Sequence, residues 1–490
     1  SSLLSAPVTA DSVVALFSPN TLLYPLIFHG AMLAGARVTT VPPLNSVEEI
    51  VAQLEDANAQ TLMTYAAFAD RAEAVAKTLP SVRDVIVLDD LPHGANATSS
   101  APAGAVTYSQ LLASPEATSP FQSHHLRRSV HDVAVIPYSS GTTGLPKGVE
   151  LTHYNLIANL LQIEGVEHLR PSDTLVGVLP MYHIYGLQII LNAALNSGGR
   201  CVLLSAFDLP QFLATLQNYR VTRAHIAPPV LVPLAKHPLV DNYDLSGLQV
   251  LFSGAAPLSA ELEAQVKARL PHVIIKQGYG MTELSPASHV SPDAPVKSGS
   301  IGVLVPNTEC YVRDTATGRV VTEPGQVGEL CVRGPQVMKG YLNNPEATQE
   351  CLDHDGFLHT GDVGYWDDDG YFFVVDRVKE LIKYKGHQVP PAELEGLLLK
   401  HPQVADAAVV GRQDPEVGEI PVACVVRREL EDKDATPVTG QELMEYVAEH
   451  VSPTRRIREV HWIDAVPKSA AGKILRRVLR DNLPSPPSTA

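Results

Sequence analysis

Short apolar segments alternate with amphipathic segments through most of the first 280 residues of the chain. The apolar segments have the length and composition of buried strands, and the amphipathic ones carry apolar residues at helical spacing. The first predicted strands are residues 13–17, 37–41, 61–65 and 84–88, with helices at residues 24–34, 47–58 and 66–78. Such alternation is typical of a parallel sheet covered by helices, so the sequence predicts an α/β fold.

The pattern resumes near residue 175 and changes twice further along the chain. From about residue 300, shorter β segments separated by glycines follow, and beyond Asp376 about 110 residues combine helices with strands. We therefore predict an N-terminal domain of helix-flanked sheets at residues 1–376, with a β-rich subdomain at about 300–376. A small C-terminal α+β domain at 377–490 follows, and its tail from about residue 484 is expected to be disordered.

Composition and charge exclude several classes of protein. The chain has 490 residues, 45% of them apolar, and its formal net charge of −16 argues against a nucleic-acid partner. An acidic protein must bind anionic nucleotides through local lysines, arginines and backbone amides. The five cysteines are scattered without a C-x-x-C pair, so their spacing suggests neither a disulfide framework nor a zinc site.

Hydropathy and the chain ends indicate where the protein works. No apolar run approaches the roughly 18 to 20 residues that span a bilayer, and the first residues lack the features of a signal peptide. We therefore predict a cytoplasmic protein without a transmembrane segment, and the last residues are not a peroxisomal Ser-Lys-Leu signal. The chain begins without methionine just before an apparent core strand, so we expect the first segment of the N-terminal domain to be missing.

Residues 138–148 form a turn-prone loop with three glycines, four Ser or Thr hydroxyls and Lys147. Glycines let backbone N–H groups approach anionic oxygens, and the lysine adds a mobile positive charge, so the composition favours a phosphate-binding loop. A strand is predicted before it at residues 132–138, and residues 149–163 after it carry a helical pattern. A Walker A loop is disfavoured because the lysine follows a proline and precedes a glycine.

Three further clusters combine residue types that suit a nucleotide. Residues 277–283 place Tyr279 beside a hydroxyl and the carboxylate of Glu283, which suits base stacking, a phosphate and Mg²⁺. Residues 359–388 contain an aspartate suited to a ribose diol and several cationic side chains suited to phosphates. Residues 466–477 form a glycine-containing loop before a basic helix. Taken singly, each cluster is also compatible with an ordinary turn or a solvated basic surface.

Seven motifs in order along the chain closely resemble the adenylate-forming superfamily, within it the 4-coumarate–CoA ligase and acyl-CoA ligase branch. The motifs are SSGTTGLPKG (139–148), PMYHIYGL (180–187), SGAAPL (253–258), QGYGMTE (277–283), TGD (360–362), DRVKELIKYKGHQVPPAELE (376–395) and PKSAAGKILRR (467–477). The resemblance implies a two-step reaction in which a carboxylic acid and ATP give acyl-AMP and pyrophosphate, and coenzyme A then displaces AMP. It also implies that the small domain swivels about a hinge at Lys379 between the two steps.

The resemblance assigns a role to particular positions of this sequence. The implied ATP- and AMP-binding residues are Ser139, Ser140, Gly141, Thr142, Thr143, Lys147, Ala255, Gln277, Gly278, Tyr279, Thr282, Asp362, Arg377, Lys383, Gln388 and Lys473. The implied acyl-pocket residues are His183, Tyr185, Ile189, Phe252, Gly278, Gly280, Pro286 and Ala287. Lys385 and Gly386 would contact coenzyme A, and Glu283 would hold Mg²⁺. The catalytic roles would belong to Lys473, His183, Thr282 and Glu283, with Lys473 bridging the acid and the α-phosphate.

Two positions depart from the plant coumarate ligases. Phe252 stands where those enzymes usually have a lysine, and Ile189 stands where they often have a polar residue. Because both changes remove hydrogen-bonding groups, we expect a more apolar pocket that prefers a fatty acid or an unhydroxylated aryl acid.

Two other functions stay open at this stage. An adenylation enzyme could pass its acyl-AMP to a carrier-protein thiol or to another acceptor, and an inactive nucleotide-binding module could share the same loops. Lys385 and Gly386 favour coenzyme A, and Lys147, Glu283 and Lys473 argue against an inactive module. The expected partners are therefore a small carboxylic acid, ATP and coenzyme A, and the protein is expected to be a monomer or homodimer.

Overall fold

The computed structural model describes residues 8, 12–89, 105–113, 129–139, 146–256, 258, 260–385, 387–414, 416–428, 436–468 and 474–484. Its strands are β1 Val13–Phe17, β2 Arg37–Val41, β3 Thr61–Tyr65, β4 Asp84–Leu88, β5 Val106–Thr107, β6 Val133–Ser139, β7 Lys147–Thr152, β8 Thr174–Gly177, β9 Arg200–Leu203, β10 Arg223–Ile226, β11 Val250–Ser253, β12 Ile274–Gly280, β13 Ala287–Val290, β14 Val303–Leu304, β15 Glu309–Arg313, β16 Gly328–Arg333, β17 Gly340–Tyr341, β18 Leu358–Trp366, β19 Phe372–Arg377, β20 Ile382–Tyr384, β21 His387–Val389, β22 Val404–Asp414, β23 Gly418–Arg427 and β24 Glu459–Trp462. Its α-helices are α1 Leu23–Leu33, α2 Val47–Asp56, α3 Ala69–Thr78, α4 Tyr108–Ala113, α5 His153–Glu167, α6 Ala193–Asn196, α7 Leu209–Asn218, α8 Pro228–Lys236, α9 Ala260–Arg269, α10 Pro345–Cys351, α11 Pro391–Lys400, α12 Gly440–Ala448 and α13 Arg476–Asp481. The predicted loop at residues 92–102 and the tail beyond residue 484 lie outside the described residues.

Two large sheets form the framework of the N-terminal domain. Their strand orders are β17-β7-β6-β2-β1-β3-β4-β5 and β14-β13-β12-β11-β10-β8-β9. The central strands of both sheets are parallel, and antiparallel strands are added at one edge of each. All five residues of β1 are buried, as expected for a strand covered by helices on both faces. The predicted α/β class is confirmed.

Helix α5 forms hydrogen bonds from buried side chains to segments that lie much later in the chain. Its N-terminus is a capping box in which Thr152 and Asn155 satisfy each other's free backbone N–H groups. The helix then buries amides instead of only apolar side chains: Asn159 donates to the carbonyl of Ala287 at 2.8 Å, and Gln162 donates to the carbonyl of Pro306 at 2.8 Å. The first bond fixes the start of β13, which follows one of the predicted nucleotide-binding segments, and the second fixes the chain just after β14.

The helix after the glycine-rich loop begins later than predicted. Residues 147–152 form β7, which pairs antiparallel with β6, and α5 begins only at His153. Val149 and Leu151 are both fully buried, and their alternation fits a strand as well as the first turn of a helix. The expected helical pattern over residues 149–163 is therefore wrong for its first four residues, and the loop connects two antiparallel strands.

A second local feature is the segment that begins within the PMYHIYGL motif. Residues 185–192 form a π-helix, which continues into α6. A Cβ atom on Gly186 would lie 2.2 Å from the carbonyl oxygen of Pro180, so the first turn needs glycine to approach that backbone. π-Helical turns are rare and occur mostly at functional sites, and the apolar pattern cannot distinguish them from α-helix.

The four-stranded sheet β15-β16-β18-β19 leads into the small C-terminal domain, where β20 to β24 form a sheet packed on α11 and α12. The connecting turn exposes Lys379, whereas its neighbour Glu380 forms an ion pair of 2.7 Å with Arg476. A second ion pair, of 2.9 Å, joins Lys400 of α11 to Glu261 of α9. The domain limits and the hinge at Lys379 stay predictions. Within the described part of the chain, no helix is both long and apolar enough to cross a membrane.

Candidate nucleotide and acyl site

Both described ends of the glycine-rich loop lie beside Glu283. Ser139, at the end of β6, donates a hydrogen bond of 3.0 Å to Oε1 of Glu283. Tyr341 donates to the same oxygen at 2.8 Å, and the Lys147 ammonium lies 4.8 Å from the centre of the Tyr341 ring. The fold therefore brings Ser139, Lys147 and Glu283 close together, and their roles in binding phosphate and magnesium stay predictions. Tyr341 was not foreseen, although its pairing with β7 places it there.

The surroundings of Glu283 fit a magnesium ion. The residue is only 5% exposed, and the two hydroxyl groups both bond to Oε1. Among the bonds that the described residues make, Oε2 is thus the oxygen left to hold a cation. Mg²⁺ is usually bound in proteins by one or two carboxylates together with the phosphates of the substrate, and this donor set offers that arrangement.

A second group of residues, which we call the ribose cluster, consists of Tyr279, Asp362 and Arg377. The Tyr279 hydroxyl donates to Asp362 Oδ2 at 2.6 Å, and Arg377 Nε lies 3.1 Å from Asp362 Oδ1. Asp362 and Arg377 are directly opposite each other on β18 and β19. Burial and the neighbouring Asp362 carboxylate raise the pKa of the Tyr279 phenol well above its usual value, so it stays a donor. Each carboxylate oxygen keeps a second acceptor position, which suits a vicinal diol.

The remaining predicted base-binding residues lie at the ends of β11 and β12. Ala255 has a φ of +69°, a left-handed conformation that is uncommon for a residue with a Cβ atom. Strain of this kind is concentrated at ligand sites. Gln277 Oε1 accepts a bond from the backbone N–H of Leu258, which joins the two strand ends. Thr282, which is 9% exposed, begins the short 3₁₀ turn that also carries Glu283.

The predicted acyl pocket is lined by two aromatic side chains that lie against glycines. A Cβ atom on Gly254 would lie 2.8 Å from the Tyr185 ring, and one on Gly278 would lie 2.5 Å from the tip of the Phe252 ring. Ile189 and Ala287 belong to the same buried apolar cluster as these two rings. Glycine is thus required at both strand ends for the rings to occupy this space.

Gly280 and Pro286 complete the predicted pocket. A Cβ atom on Gly280 would lie 2.0 Å from the carbonyl oxygen of Pro286, so these two backbones are in direct contact.

His183 is the remaining residue of the predicted pocket. Burial lowers the pKa of His183, and its Nδ1 accepts a bond from the backbone N–H of Tyr185 at 3.3 Å. His183 is therefore neutral, with its other ring nitrogen carrying the proton.

Sequence reasoning missed a group of charged side chains behind Phe252. This buried ion cluster contains Glu167, Arg223, Lys276 and Asp293. Lys276 lies 2.5 Å from Glu167 and 2.6 Å from Asp293, and Arg223 lies 3.1 Å from Glu167. Burial raises the pKa of Glu167, while Lys276 and Arg223 oppose that change. Because this cluster lies behind Phe252, the base of the predicted pocket is less apolar than the residues that line the pocket would suggest.

His225 connects this cluster to the pocket. His225, Phe252 and Lys276 are register partners on three adjacent parallel strands. The His225 ring stacks on Phe252 with a centroid distance of 4.9 Å, and its Nε2 lies 3.5 Å from Glu167. Burial, together with Lys276 and Arg223, lowers the pKa of His225 to about 3, so the ring is neutral.

The predicted C-terminal residues are divided between described and undescribed positions. Lys383 is exposed and is the register partner of Gln388, whose side chain accepts a bond of 3.1 Å from Thr315 of the N-terminal domain. Lys385 has a φ of +48°, and its ammonium lies 5.7 Å from the Tyr384 ring. These contacts do not join Lys383 or Gln388 to the ribose cluster. Ser140, Gly141, Thr142, Thr143, Gly386 and Lys473 lie outside the described residues.

A fold of two helix-covered sheets, with the predicted phosphate- and ribose-binding residues at their ends and a small second domain, is consistent with the class of AMP-forming ligases. The family model of the AMP-binding enzymes matches residues 1–342, and that of the AMP-binding enzyme C-terminal domain matches residues 393–473. The chain therefore belongs to the AMP-binding enzyme family.

Curated relatives are similar over nearly the whole chain. A 4-coumarate–CoA ligase of Pinus taeda is 42% identical over 480 residues, which cover 96% of this chain and 85% of that protein. A probable 4-coumarate–CoA ligase of Dictyostelium discoideum is 43% identical over 483 residues, with 97% and 86% covered. The prediction of an ATP-dependent acid–CoA ligase that works through an acyl-AMP is confirmed.

Solved structures share the arrangement of both domains. ATP-bound MatB from Rhodopseudomonas palustris superposes with a TM-score of 0.83 at 27% identity, covering 97% of this chain and 89% of that one. The TM-score with apo MatB is 0.72, so the fold here is closer to the ATP-bound form. The amide bond synthetase McbA from Marinactinospora thermotolerans also reaches 0.83 at 27% identity, covering 97% and 90%.

Proposed function

We propose that the ribose cluster and the Glu283 group bind the two ends of ATP while the acid enters between Tyr185 and Phe252. The observation that supports this most strongly is the pair of contacts that Asp362 makes, a hydrogen bond from Tyr279 and an ion pair with Arg377. They fix a buried carboxylate with free acceptor positions at one end of a site whose other end holds Ser139, Lys147 and Glu283.

In the first step an oxygen of the acid forms a bond to the α-phosphorus of ATP, and the bond from that phosphorus to pyrophosphate breaks. Lys147 and Ser139 stabilise the negative charge that develops on the departing phosphates. Glu283 would hold Mg²⁺, which neutralises phosphate charge when it is bound. Thr282 would contact the α-phosphate, and Lys473 would bridge it to the acid.

In the second step a thiolate sulfur forms a bond to the acyl carbon, and AMP leaves with both bonding electrons. Neutral His183, beside Tyr185, would border the path by which the thiol reaches that carbon. Lys385 and Gly386 would contact coenzyme A after the small domain turns about Lys379. The domain turn is supported by the TM-scores of 0.83 with ATP-bound MatB and 0.72 with apo MatB, since they show that one protein of this fold differs in structure between the two states.

We propose a small organic acid as substrate, with a fatty acid or an unhydroxylated aryl acid preferred. Phe252 and Ile189 support this preference, since neither offers a hydrogen bond to a ring hydroxyl. The names of the similar ligases support 4-coumarate-like acids as the first compounds to test. The cytoplasmic location and the monomeric or dimeric state stay predictions.

A second acceptor is supported by the likeness to an amide bond synthetase. A panel of acids of varied length and ring substitution, incubated with ATP and Mg²⁺, tests both acceptors through acid-dependent pyrophosphate release. Thioester formed with coenzyme A supports the ligase, and amide formed only with added amines supports the second acceptor. Absence of pyrophosphate with every acid would contradict both and indicate a nucleotide-binding module.

A further inference from the structure

The β-rich sheet carries a group of potential metal ligands that the proposed reaction does not use. Cys331 on β16 is the register partner of His359 on β18, and Glu329 lies two residues before Cys331 on the same strand. One ligand atom from each of the three residues lies within 4.8 Å of the other two. Cys331 is fully buried, whereas the side chains of Glu329 and His359 are 14% and 20% exposed. An ion could therefore enter from the His359 side.

The distances between the ligand atoms match those around a tetrahedral zinc ion. Nδ1 of His359 lies 3.5 Å from the Cys331 sulfur and 3.3 Å from Glu329 Oε2. With Zn–S, Zn–N and Zn–O bonds of about 2.3, 2.05 and 2.1 Å, tetrahedral angles give separations of about 3.6 Å for S···N and about 3.4 Å for N···O. The two separations from His359 thus match those around one zinc ion, and the sulfur and Glu329 oxygen lie within 4.8 Å of each other.

Nδ1 of His359 faces two ligand atoms at once, Cys331 Sγ and Glu329 Oε2. Cys331 also lies 3.9 Å from the carbonyl oxygen of Glu329, and Glu329 lies 3.8 Å from Arg313. A neutral ring nitrogen can donate to one group or accept from the other, and a cation between the three atoms would replace both contacts at Nδ1. A thiolate and a carboxylate together also balance the two positive charges of Zn²⁺ in a buried setting.

Asp353 supplies the outer contact that metal-binding histidines usually have. Its Oδ2 lies 3.5 Å from His359 Nε2, while its Oδ1 accepts backbone bonds from Asp355 and Phe357 at 3.0 and 2.9 Å. A carboxylate at Nε2 keeps the proton on that nitrogen and leaves the lone pair of Nδ1 directed at the cluster. Glu329 is fixed in a similar way, because its Oε1 accepts from the N–H of Gly361 at 3.1 Å.

We propose that Cys331, His359 and Glu329 bind one Zn²⁺ ion, with Asp353 orienting His359 and a water completing the coordination. Binding forms a Zn–S bond and releases the thiol proton of Cys331 to solvent. The ion joins β16 to β18, the strand that also carries Asp362. The spacing of the cysteines gave no indication of this site because its ligands come from two strands that are about 30 residues apart in sequence.

The test uses the full chain without an affinity tag, stripped with a chelator, dialysed and titrated with Zn²⁺ against a chromophoric competitor. We expect one tight site per chain. Cys331→Ser and His359→Asn should abolish it, and Asp353→Asn should weaken it by about 10- to 100-fold. Co²⁺ at the same site should show a thiolate charge-transfer band that Cys331→Ser removes.

Two controls separate this site from adventitious binding. His354→Asn changes an imidazole that is 91% exposed in the same loop, and Cys201→Ser removes a thiol from another sheet. Both should keep the tight site. Glu329→Gln serves if the Cys331 variant does not fold, because it keeps the shape of the side chain but not its charge. Equal zinc binding by the wild type and by folded Glu329→Gln or His359→Asn protein would overturn the proposal, as would the absence of a stoichiometric site in the wild type.

Discussion

The ribose cluster and the buried ion cluster use similar side chains for different ends. In the ribose cluster, Arg377 is 36% exposed and Asp362 keeps acceptor positions free, so a ligand can complete the group. In the buried ion cluster, Lys276 and Glu167 are at most 1% exposed, and their charges are satisfied by each other and by their neighbours. Charge and burial alone therefore do not mark a binding site, and exposure does not separate the two groups either, because Asp293 of the buried ion cluster is 34% exposed. What distinguishes the predicted ribose cluster is that each carboxylate oxygen of Asp362 has one side-chain partner among the described residues, whereas Lys276 contacts two carboxylates.

The largest effect should follow from breaking the buried ion cluster. Lys276→Met removes one cation and leaves Glu167 and Asp293 without their shortest contact. Uncompensated buried charge should lower the free energy of unfolding by about 3 to 5 kcal/mol. Denaturant unfolding of the purified chain measures this loss.

Lys297→Met is the matched control, since Lys297 pairs with Asp367 and Asp369 at the surface. Exposed pairs of this kind contribute about 0 to 1 kcal/mol. If the two variants lost the same small amount, the buried ion cluster would not have the structural role assigned to it.

A substitution in the ribose cluster should lower the activity more than it lowers the free energy of unfolding. Asp362→Asn keeps the shape of the side chain but removes the charge that accepts a hydrogen bond from Tyr279 and pairs with Arg377. Bonds to a charged group are worth about 1.5 to 3 kcal/mol, so kcat/KM for ATP should fall roughly 10- to 150-fold. Steady-state pyrophosphate release with a saturating acid measures it. Asp369→Asn, at a side chain that is 73% exposed, should leave kcat/KM unchanged, and an equal loss in both variants would contradict the role of Asp362.

The Phe252 ring should set the depth of the acyl pocket. Phe252→Leu shortens a side chain whose tip lies against Gly278, so longer acids should gain relative to shorter ones. We expect the ratio of their kcat/KM values to change about tenfold, which corresponds to about 1.4 kcal/mol. Phe212→Leu changes another fully buried ring and should leave the ratio unaltered. An unchanged acid profile in the Phe252 variant would remove that ring from the pocket.

The smallest effect is a pH dependence that originates in the buried ion cluster. Because the pKa of His225 is lowered from 6.5 to about 3, the unfolded chain takes up a proton at mildly acidic pH that the folded chain refuses. His225 therefore contributes stability that is present above pH 6.5 and is lost as the pH falls towards 3. Between pH 7.5 and 5.5 the wild type should lose about 1 kcal/mol that a His225→Gln variant does not lose. If the free energy of unfolding changed by the same amount in both proteins between pH 7.5 and 5.5, His225 would not be held neutral.

Much of the fold follows from local sequence patterns, and the exceptions have physical causes. The strands Val13–Phe17, Arg37–Val41 and Thr61–Tyr65 have the predicted bounds because apolar runs between turns leave few alternatives. The π-helix at Tyr185–Asn192 was not predictable, since an apolar pattern does not distinguish it from an α-helix and Gly186 approaches the carbonyl of Pro180 only through the fold. Such contacts exist only after the chain has folded.

The candidate site divides in the same way. Ser139 and Lys147 belong to one short motif and Glu283 to another. The composition of each motif predicts phosphate or magnesium binding, and the three residues lie together in the fold. Lys276 directly precedes one of these motifs, yet its role depends on Glu167, more than 100 residues earlier in the chain. Sequence patterns reveal groups that act on a ligand more readily than groups that act on each other across a sheet.

The most direct test of the whole account is a quenched reaction of the protein with ATP, Mg²⁺ and a substrate acid, analysed by mass spectrometry before and after coenzyme A is added. Without coenzyme A, we expect acyl-AMP and pyrophosphate in amounts close to that of the enzyme. After coenzyme A is added, we expect AMP and continuous formation of the acyl-CoA. Cleavage of ATP to ADP would contradict an AMP-forming reaction. Formation of acyl-CoA that does not consume the acyl-AMP made beforehand would contradict the role of acyl-AMP as intermediate.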